Sequence, residues 1–530
     1  MTVKRIVCLV LIFCMTVTLF SGCAKEEAEA YVPTGDAILM EGQDPEDILP
    51  TEEDTQELSL AYSPDRSMNP LIGYNMNNRV LFSLMYQPLF ATDSKGVSYP
   101  ILCSEYQVTP DNKVWTIYIE PNATFSDGSR LTIEDVYASY MGAKESTYYK
   151  GRFQYYVESF QIEGGAIVFR LTTPFENLAI LLDIPIVKAE DVDADHPRGT
   201  GPYAFSEGLS GAYLRKVTDW WGNMEIAATA ETISLVECLD EPSVRDEFEF
   251  GDVDVVCTNP LSDKYVDYRC DYELWDVESG MFLYLGCNVL YSDYFEDGVL
   301  RTVLTYAIDR ATIVERYYHG HALPATLCAP PTSPHYSDSL AAKYEYDSMR
   351  FIDSISTWKL PKDPDNPDRK LRLLVNCDDS ARLRTARYIA ETLTEFGIPC
   401  GTLEYGAATN PTYETVLRAN TFDIYLGQTR LPPNMDLSEF FRLWGNLSWG
   451  GIPNDNILKM CKETLANSGN YYNLLELIAK DGRVIPILFG TYAIYANRGL
   501  LPDLSPARDN VFFYTMGKTM ESARIDTQYT

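Results

Sequence analysis

Four histidines, His196, His319, His321 and His335, are the only imidazoles in a chain of 530 residues. His319-Gly-His321 could present two nitrogens to a metal ion. The same three residues also read as a solvated turn after a helix. No GxSxG, HExxH, GxxxxGK[ST] or GxGxxG segment occurs, so the sequence signals for nucleophilic hydrolysis, zinc proteolysis, nucleotide phosphates and dinucleotides are all missing. The carboxylates are too numerous to single out an acid–base pair. There are 12 cysteines. Cys8, Cys14 and Cys23 fall in an N-terminal leader, and the nine that remain show no CxxC or zinc-knuckle spacing. An odd number cannot all pair internally, and they read as free buried thiols acting as small hydrophobes. The chain therefore reads as a non-enzyme without a resident cofactor or metal. Its chemistry is to be sought in binding.

Bulk charge narrows what can bind. The net charge is −33, which argues against nucleic acid and against an anionic membrane as partners of the bulk surface. The N-terminus reads as a targeting segment. Lys4 and Arg5 precede an apolar run from Ile6 to Phe20 that is short for a membrane span. Leu19-Phe-Ser-Gly-Cys23 resembles a bacterial lipobox with Cys23 as the lipidated residue, although Phe20 stands where Leu is usual; the alternative is an ordinary secretory signal. Residues 23–56 are acidic and aperiodic and read as a disordered tether. The expected location is the outer face of the bacterial cytoplasmic membrane, held through a lipid anchor only.

Folding is expected to begin near Glu57, and the length calls for two or three domains. Leu58–Tyr62 reads as a strand, and the Asn75–Phe90 stretch as a helix. In Trp115–Val136, residues Trp115, Ile117 and Ile119 alternate with polar neighbours as in a half-buried strand. Phe125-Ser-Asp-Gly128 is a turn, and Thr132 with Asp135 has capping-box spacing for the next helix. Tyr155–Gln161 and Ala166–Leu171 read as strands. Val299–Val314 carries Leu300, Val303, Leu304, Ala307 and Ile308 on one helical face, with Asp309 placed to cap a second short helix. Arg372–Val375, a helix from Ala381 to Phe396 and Ile398–Leu403 form a βαβ unit. Phe422–Gly427 is a buried strand, and the chain closes with short strands at Val484–Leu488 and Tyr492–Tyr495.

Several of these segments resemble, in order, those of family 5 extracellular solute-binding proteins, the peptide/nickel receptors of ABC importers. They include Ser67-Met-Asn-Pro70, Met85-Tyr-Gln-Pro-Leu89, Trp115–Val136, Gly199-Thr-Gly-Pro-Tyr203, Trp220-Trp221, Phe250–Asp254, Met281–Asn288, Val299–Val314 and Val484–Leu488. The resemblance runs from about Leu58 to Leu500. It implies an α/β fold of the two-lobed periplasmic-binding-protein type II (cluster C), with an extra small domain. Lobe I would comprise 57–95, 190–280 and 490–530, the inserted small domain 96–189, and lobe II 281–489. The implied function is capture of a small solute, an oligopeptide by default, in an interlobe cleft, with delivery by a monomer to an ABC permease and ATPase complex. A nickel-type metal-chelate receptor and a ligand-sensing surface protein are the alternatives.

The resemblance also implies site residues. Asp423–Arg430 corresponds to the strand that pairs with ligand backbone, which places Gly427, Gln428 and Thr429 at the ligand. Peptide receptors of the family set an Asp just after this strand, against the peptide ammonium. Here Arg430 and Leu431 stand near that place, and the next carboxylate is Asp436. Arg430 would favour a carboxylate or phosphate on the solute; the alternative is that it pairs with Asp436. Trp444 is a wall candidate, with Trp449 more readily assigned to core. Ser67, Met68, Asn69, Tyr203 and Asn288 are loop or strand-end candidates. Asp127, Asp309 and Arg310 read as structural.

Overall fold

The computed structural model describes residues 57–73, 75–361 and 366–525. The leader, Cys23 and the acidic tether lie outside the described residues. Among the described residues there are seventeen strands, numbered in chain order. They are β1 (Leu58–Tyr62), β2 (Phe90–Thr92), β3 (Ser98–Pro100), β4 (Cys103–Val108), β5 (Val114–Ile119), β6 (Val157–Glu163), β7 (Ala166–Leu171), β8 (Tyr203–Gly208), β9 (Gly211–Lys216), β10 (Thr232–Glu237), β11 (Val255–Thr258), β12 (Glu273–Cys287), β13 (Ala322–Pro324), β14 (Leu371–Asn376), β15 (Cys400–Tyr405), β16 (Ile424–Arg430) and β17 (Val484–Ala496).

One large sheet has the order β15-β14-β16-β12-β17-β11-β1-β10-β9-β8, with β13 added on β17. β4-β5-β7-β6 form a separate antiparallel sheet, and β2-β3 a two-stranded ribbon. β12 and β17 are the long strands, of 15 and 13 residues, and pair antiparallel from Glu273↔Ala496 to Gly286↔Val484. They tie together cores that otherwise separate along the sheet. Alternate side chains serve different cores, as the two-residue repeat of a strand requires. Leu283 and Leu285 face one cluster with Ile389 and Leu393, while Phe282 and Tyr284 face another with Phe440 and Ile457. At the far end of β17, Ile494 joins the large cluster around Trp115, Tyr140 and Phe169, and Tyr495 packs with Phe248 on the other face. The register of β12 against β17 breaks between Glu278 and Phe282. Gly280 sits there with φ +82°, a conformation that suits a residue without Cβ.

Both long strands exceed the sequence reading. The two short strands expected near residues 484–495 are one continuous strand, buried throughout, so no alternation announces it. The helix expected from residue 75 is α1 (Met76–Met85), capped by the Asn75 side chain and ended at Tyr86, whose backbone is extended. The run 299–314 is not one helix. It folds as Val299–Val303, a tighter turn Leu304–Ala307, and a new helix Arg310–Tyr317 whose cap Asp309 accepts from Thr312 N–H at 3.0 Å. Thr132 and Asp135 form the capping box of α2 (Ile133–Glu145). All nine cysteines among the described residues are free thiols, and seven are buried. Burial pushes the Cys257 thiol up to about 11, far from a reactive thiolate.

Gly199-Thr-Gly-Pro-Tyr203 needs its glycines for close approach. Gly201 N–H donates to Met85 O at 2.9 Å, and Ser126 N–H to Gly199 O at 3.0 Å. A Cβ at Gly201 would stand 2.4 Å from Leu84 O, and one at Gly199 2.1 Å from Met85 O. Both obstacles are backbone at the end of α1 and cannot rotate away. Gly201→Ala is therefore expected to cost about 2–3 kcal/mol, as overpacking does, read as a lowered urea midpoint with unchanged slope.

Candidate functional site

Three cavities with shared lining residues sit where the segments on the two ends of β12 and β17 face each other. The first, of about 310 Å³, lies between Trp115, Phe175 and Ile180 on one side and Pro334, Asn434 and Tyr471 on the other. The second, of about 300 Å³, lies between Tyr148, Arg152 and Tyr156 and the segment Thr429–Pro433 with Asp436 and Glu439. A third, of about 50 Å³, carries Asp183, Glu278 and Asp509. Pro433 and Arg508 line all three.

The second cavity is built around guanidinium groups. Arg152 donates to Asp509 at 3.0 Å, and Arg79 pairs with the same carboxylate. Tyr148 OH donates to Asp509 at 2.6 Å. Arg508 pairs with Glu278. Arg430 reaches from the end of β16 to the hydroxyls of Tyr148, at 3.3 Å, and Tyr492, and its guanidinium lies over both rings at 5.7 Å. Burial alone would push the Tyr148 phenol up. The guanidinium groups of Arg79, Arg430, Arg152 and Arg508 outweigh it and draw the phenol below its ordinary value. Four guanidinium groups thus crowd this corner, three of them paired with Asp509 and Glu278. Asp436, which also lines the cavity, is occupied by Ser438 N–H at 2.9 Å, Ser438 Oγ at 2.6 Å and Tyr156 OH at 2.9 Å.

Burial raises the Asp183 carboxyl to about 6, against the pull of Arg152, the Thr92 N–H and Arg79. This folded value lies above that of an exposed Asp, so by linkage its favourable contribution is complete below pH 4 and lost as pH rises through about 6. Asp183→Asn is expected to stabilise the protein by about 2 kcal/mol at pH 7.5 and to leave it unchanged near pH 4. Thermal unfolding across that range checks both.

The candidate residues fall into two groups. Thr429 and Arg430 line the second cavity. Gly427 and Gln428 precede them in β16, opposite Tyr284 and Leu283 of β12. Pairing of β16 with β14 stops at Leu426, whereas pairing with β12 continues to Arg430. A Cβ at Gly427 would meet the Tyr284 ring at 2.4 Å, so this glycine makes room for an aromatic core residue. The Asn69 side chain donates to Val192 O and Ala194 O, with Ser67 Oγ accepting from Asn69 N–H. Met68 is fully buried. Tyr203 OH donates to Ala230 O at 2.6 Å. Asn288 donates to Asn420 O and Phe422 O, tying the end of β12 to the start of β16. These polar groups are engaged with backbone and line none of the three cavities. Trp444 is 89% exposed and stands outside them as well, while Trp449 packs against the core.

Sequence reasoning missed Arg152, Arg508, Tyr148 and Asn434, which no motif marks. His319 and His321 turn to different carboxylates, Asp267 at 3.6 Å and Asp276 at 2.8 Å. Among the described residues, no group of three His, Cys, Asp or Glu is arranged to hold a metal ion, and no helix is long and apolar enough to cross a membrane.

Residues 98–451 match the profile of bacterial extracellular solute-binding proteins, family 5 Middle. Protein XP55 of Streptomyces lividans is 24% identical over 326 residues, which is 57% of this chain and 57% of that protein. The glutathione-binding protein GsiB of Escherichia coli O157:H7 is 22% identical over 281 residues, 50% of this chain and 54% of that protein. The chain thus spans little more than half the length of these curated relatives. The crystal structure of a putative peptide binding protein AppA from Clostridium difficile superposes with a TM-score of 0.66 at 17% identity, covering 86% of this chain and 98% of that one. That likeness is one of fold.

Proposed function

The chain belongs to the bacterial extracellular solute-binding proteins of family 5, and from that premise we propose that it captures a short peptide bearing an anionic group and delivers it to an ABC importer. The observation that carries the reading is the guanidinium-rich cavity at the end of β16. There the strand has left β14 and keeps β12 on one side. A solute backbone can pair with the edge of the strand at Thr429–Arg430, which lines the cavity, while its carboxylate meets Arg430, with Arg152 and Arg508 beside it. We take lobe I, the inserted small domain and lobe II to have the boundaries read from the sequence. Closure of the lobes would bend β12 and β17 near Gly280, where their register breaks.

Binding of short peptides with free and with amidated C-termini, followed by thermal shift, tests the reading. Stabilisation by the free acids and little by the amides is the expected outcome. Equal response to both contradicts the anionic anchor, and no response to either contradicts the peptide class. The anchor to the membrane is read from Cys23. Cys23→Ser is expected to move the protein from the membrane fraction to the medium, and a variant still held at the membrane contradicts lipidation.

A further inference from the structure

The first cavity contains a polar group that no role yet described uses. Asn434 lies in the loop Leu431–Leu437 that comes after β16, and its residue is 4% exposed. Neither its carboxamide oxygen nor its nitrogen finds a hydrogen-bond partner among the described residues. The Tyr156 hydroxyl donates to Asp436 at 2.9 Å and offers the Asn434 nitrogen at most a contact beyond ordinary hydrogen-bond geometry, while no donor reaches the Asn434 oxygen. A buried amide whose oxygen has no donor and whose nitrogen is at best weakly served is costly, and folded proteins rarely keep one without a use.

The loop around Asn434 is held firmly. Leu431 N–H donates to Gly280 O at 2.9 Å, and Met435 N–H to Pro432 O at 2.9 Å. Pro432 and Pro433 fix their own φ angles. Tyr471 OH donates to the backbone oxygen of Asn434 at 3.0 Å. Tyr471 in turn is stacked on His335, with ring centroids 4.0 Å apart. The backbone is committed on every side, while the side chain lines the cavity with its hydrogen bonds still to make.

We infer that Asn434 reads an amide of the bound solute, its oxygen accepting from a solute N–H and its nitrogen donating to a solute C=O. The inference rests on the proposed capture of a peptide in these cavities and adds the residue that recognises a peptide group. A carboxylate offers acceptors alone and an ammonium donors alone, so either would leave half of the carboxamide unserved. A peptide bond or primary carboxamide serves both halves. Phe175, Ile180, Pro330, Pro334 and Met435 supply apolar walls for the side chains such a solute would carry. The two ends of the site then divide the work. Guanidinium groups hold the anionic end of the solute, and Asn434 holds an uncharged amide in the neighbouring cavity, which Arg508 also lines.

The test uses the purified full chain, Asn434→Leu and the isosteric Asn434→Asp. Each is dialysed to equilibrium against short peptides from a tryptic digest of casein, and separately against gluco-oligosaccharides; retained solutes are weighed by mass spectrometry. Wild type is expected to retain peptides. Both variants are expected to retain at least about tenfold less, the effect of losing hydrogen bonds to a neutral group. Ligand-free Asn434→Leu is expected to melt no lower than wild type, because it removes an unserved buried amide. Peptide retention equal to wild type in both variants overturns the inference and leaves peptide capture standing. A clear fall in the melting temperature of both variants also overturns it, since Asn434 would then be structural. Retention of oligosaccharides instead of peptides, or of nothing, by wild type overturns peptide capture and this inference with it.

Discussion

Arg310→Ala is expected to lose about 3–5 kcal/mol of stability, the range for removing a buried charged group whose partners stay behind. The Arg310 side chain is 4% exposed at residue level and is spent on oxygens. Nε lies 2.9 Å from both Ala325 O and Pro486 O. Nη1 donates to Thr305 O and Ile308 O at 3.2 Å, and Nη2 to Thr305 Oγ1 at 2.8 Å. One guanidinium thus fastens the start of helix 310–317, the tight turn before it, the segment after β13 and strand β17. Burial lowers its pKa to about 10, which still leaves it charged at neutral pH. Alanine would strand these acceptors and open a cavity. Lysine keeps the charge but lacks the planar fork, and is expected to recover less than half of the loss. Urea unfolding measures both. A loss below about 1 kcal/mol for alanine would contradict this account of the core.

Arg430→Ala is expected to weaken binding of a carboxylate-bearing peptide by about a hundredfold, close to 3 kcal/mol, as truncating one member of a desolvated charge pair does. Binding of the C-terminally amidated peptide should change by less than threefold or so. The contrast matters more than either number. Arg430 lies over Tyr148 and Tyr492, and removing it could loosen that corner for any solute. Loosening alone would weaken acid and amide alike, whereas loss of an anionic anchor weakens the acid. Titration calorimetry on the two peptides separates the cases, and an equal loss for both would refute the anchor. Trp444→Ala, at a site 89% exposed and away from the cavities, serves as the neighbouring control and is expected to bind as wild type does.

What was legible in the sequence was what local chemistry decides. Thr132 with Asp135, the turn closed by Gly128 N–H to Phe125 O, and the Asp309 cap each depend on residues within a few positions of one another. The βαβ unit at residues 371–405 was readable because its helix is amphipathic and ends at a glycine. β12 and β17 were read short because their residues are buried on both faces or interrupted at Ser279-Gly280 and Pro486. Local pattern has no term for a strand that crosses from one core to another.

The candidate site was legible along one stretch only, from Thr429 to Asp436. Arg430 is visible because it ends a strand buried over most of its length and stands near the place where a carboxylate is usual in peptide receptors of the family. Its neighbours come from remote parts of the chain: Tyr148 is 282 residues away, and Arg152 and Asp509 are 357 residues apart. Ser67, Asn69, Tyr203 and Asn288 looked like ligand residues because they are polar or at strand ends. In the structure their polar groups are engaged with the backbone that holds the fold together. Asn434 was hidden for the opposite reason. A polar residue in a Pro-Pro-Asn-Met loop looks like an ordinary turn until its burial is known.

The most direct test of the central claim, that the cavity at the end of β16 holds an anionic peptide through Arg430, is native mass spectrometry of the chain purified without refolding, beside Arg430→Ala. Wild type is expected to carry a set of short-peptide masses with free carboxylates, and the variant markedly less of them. A retained solute without amide and carboxylate groups, a metal chelate included, would contradict it, as would identical peptide loads on the two proteins.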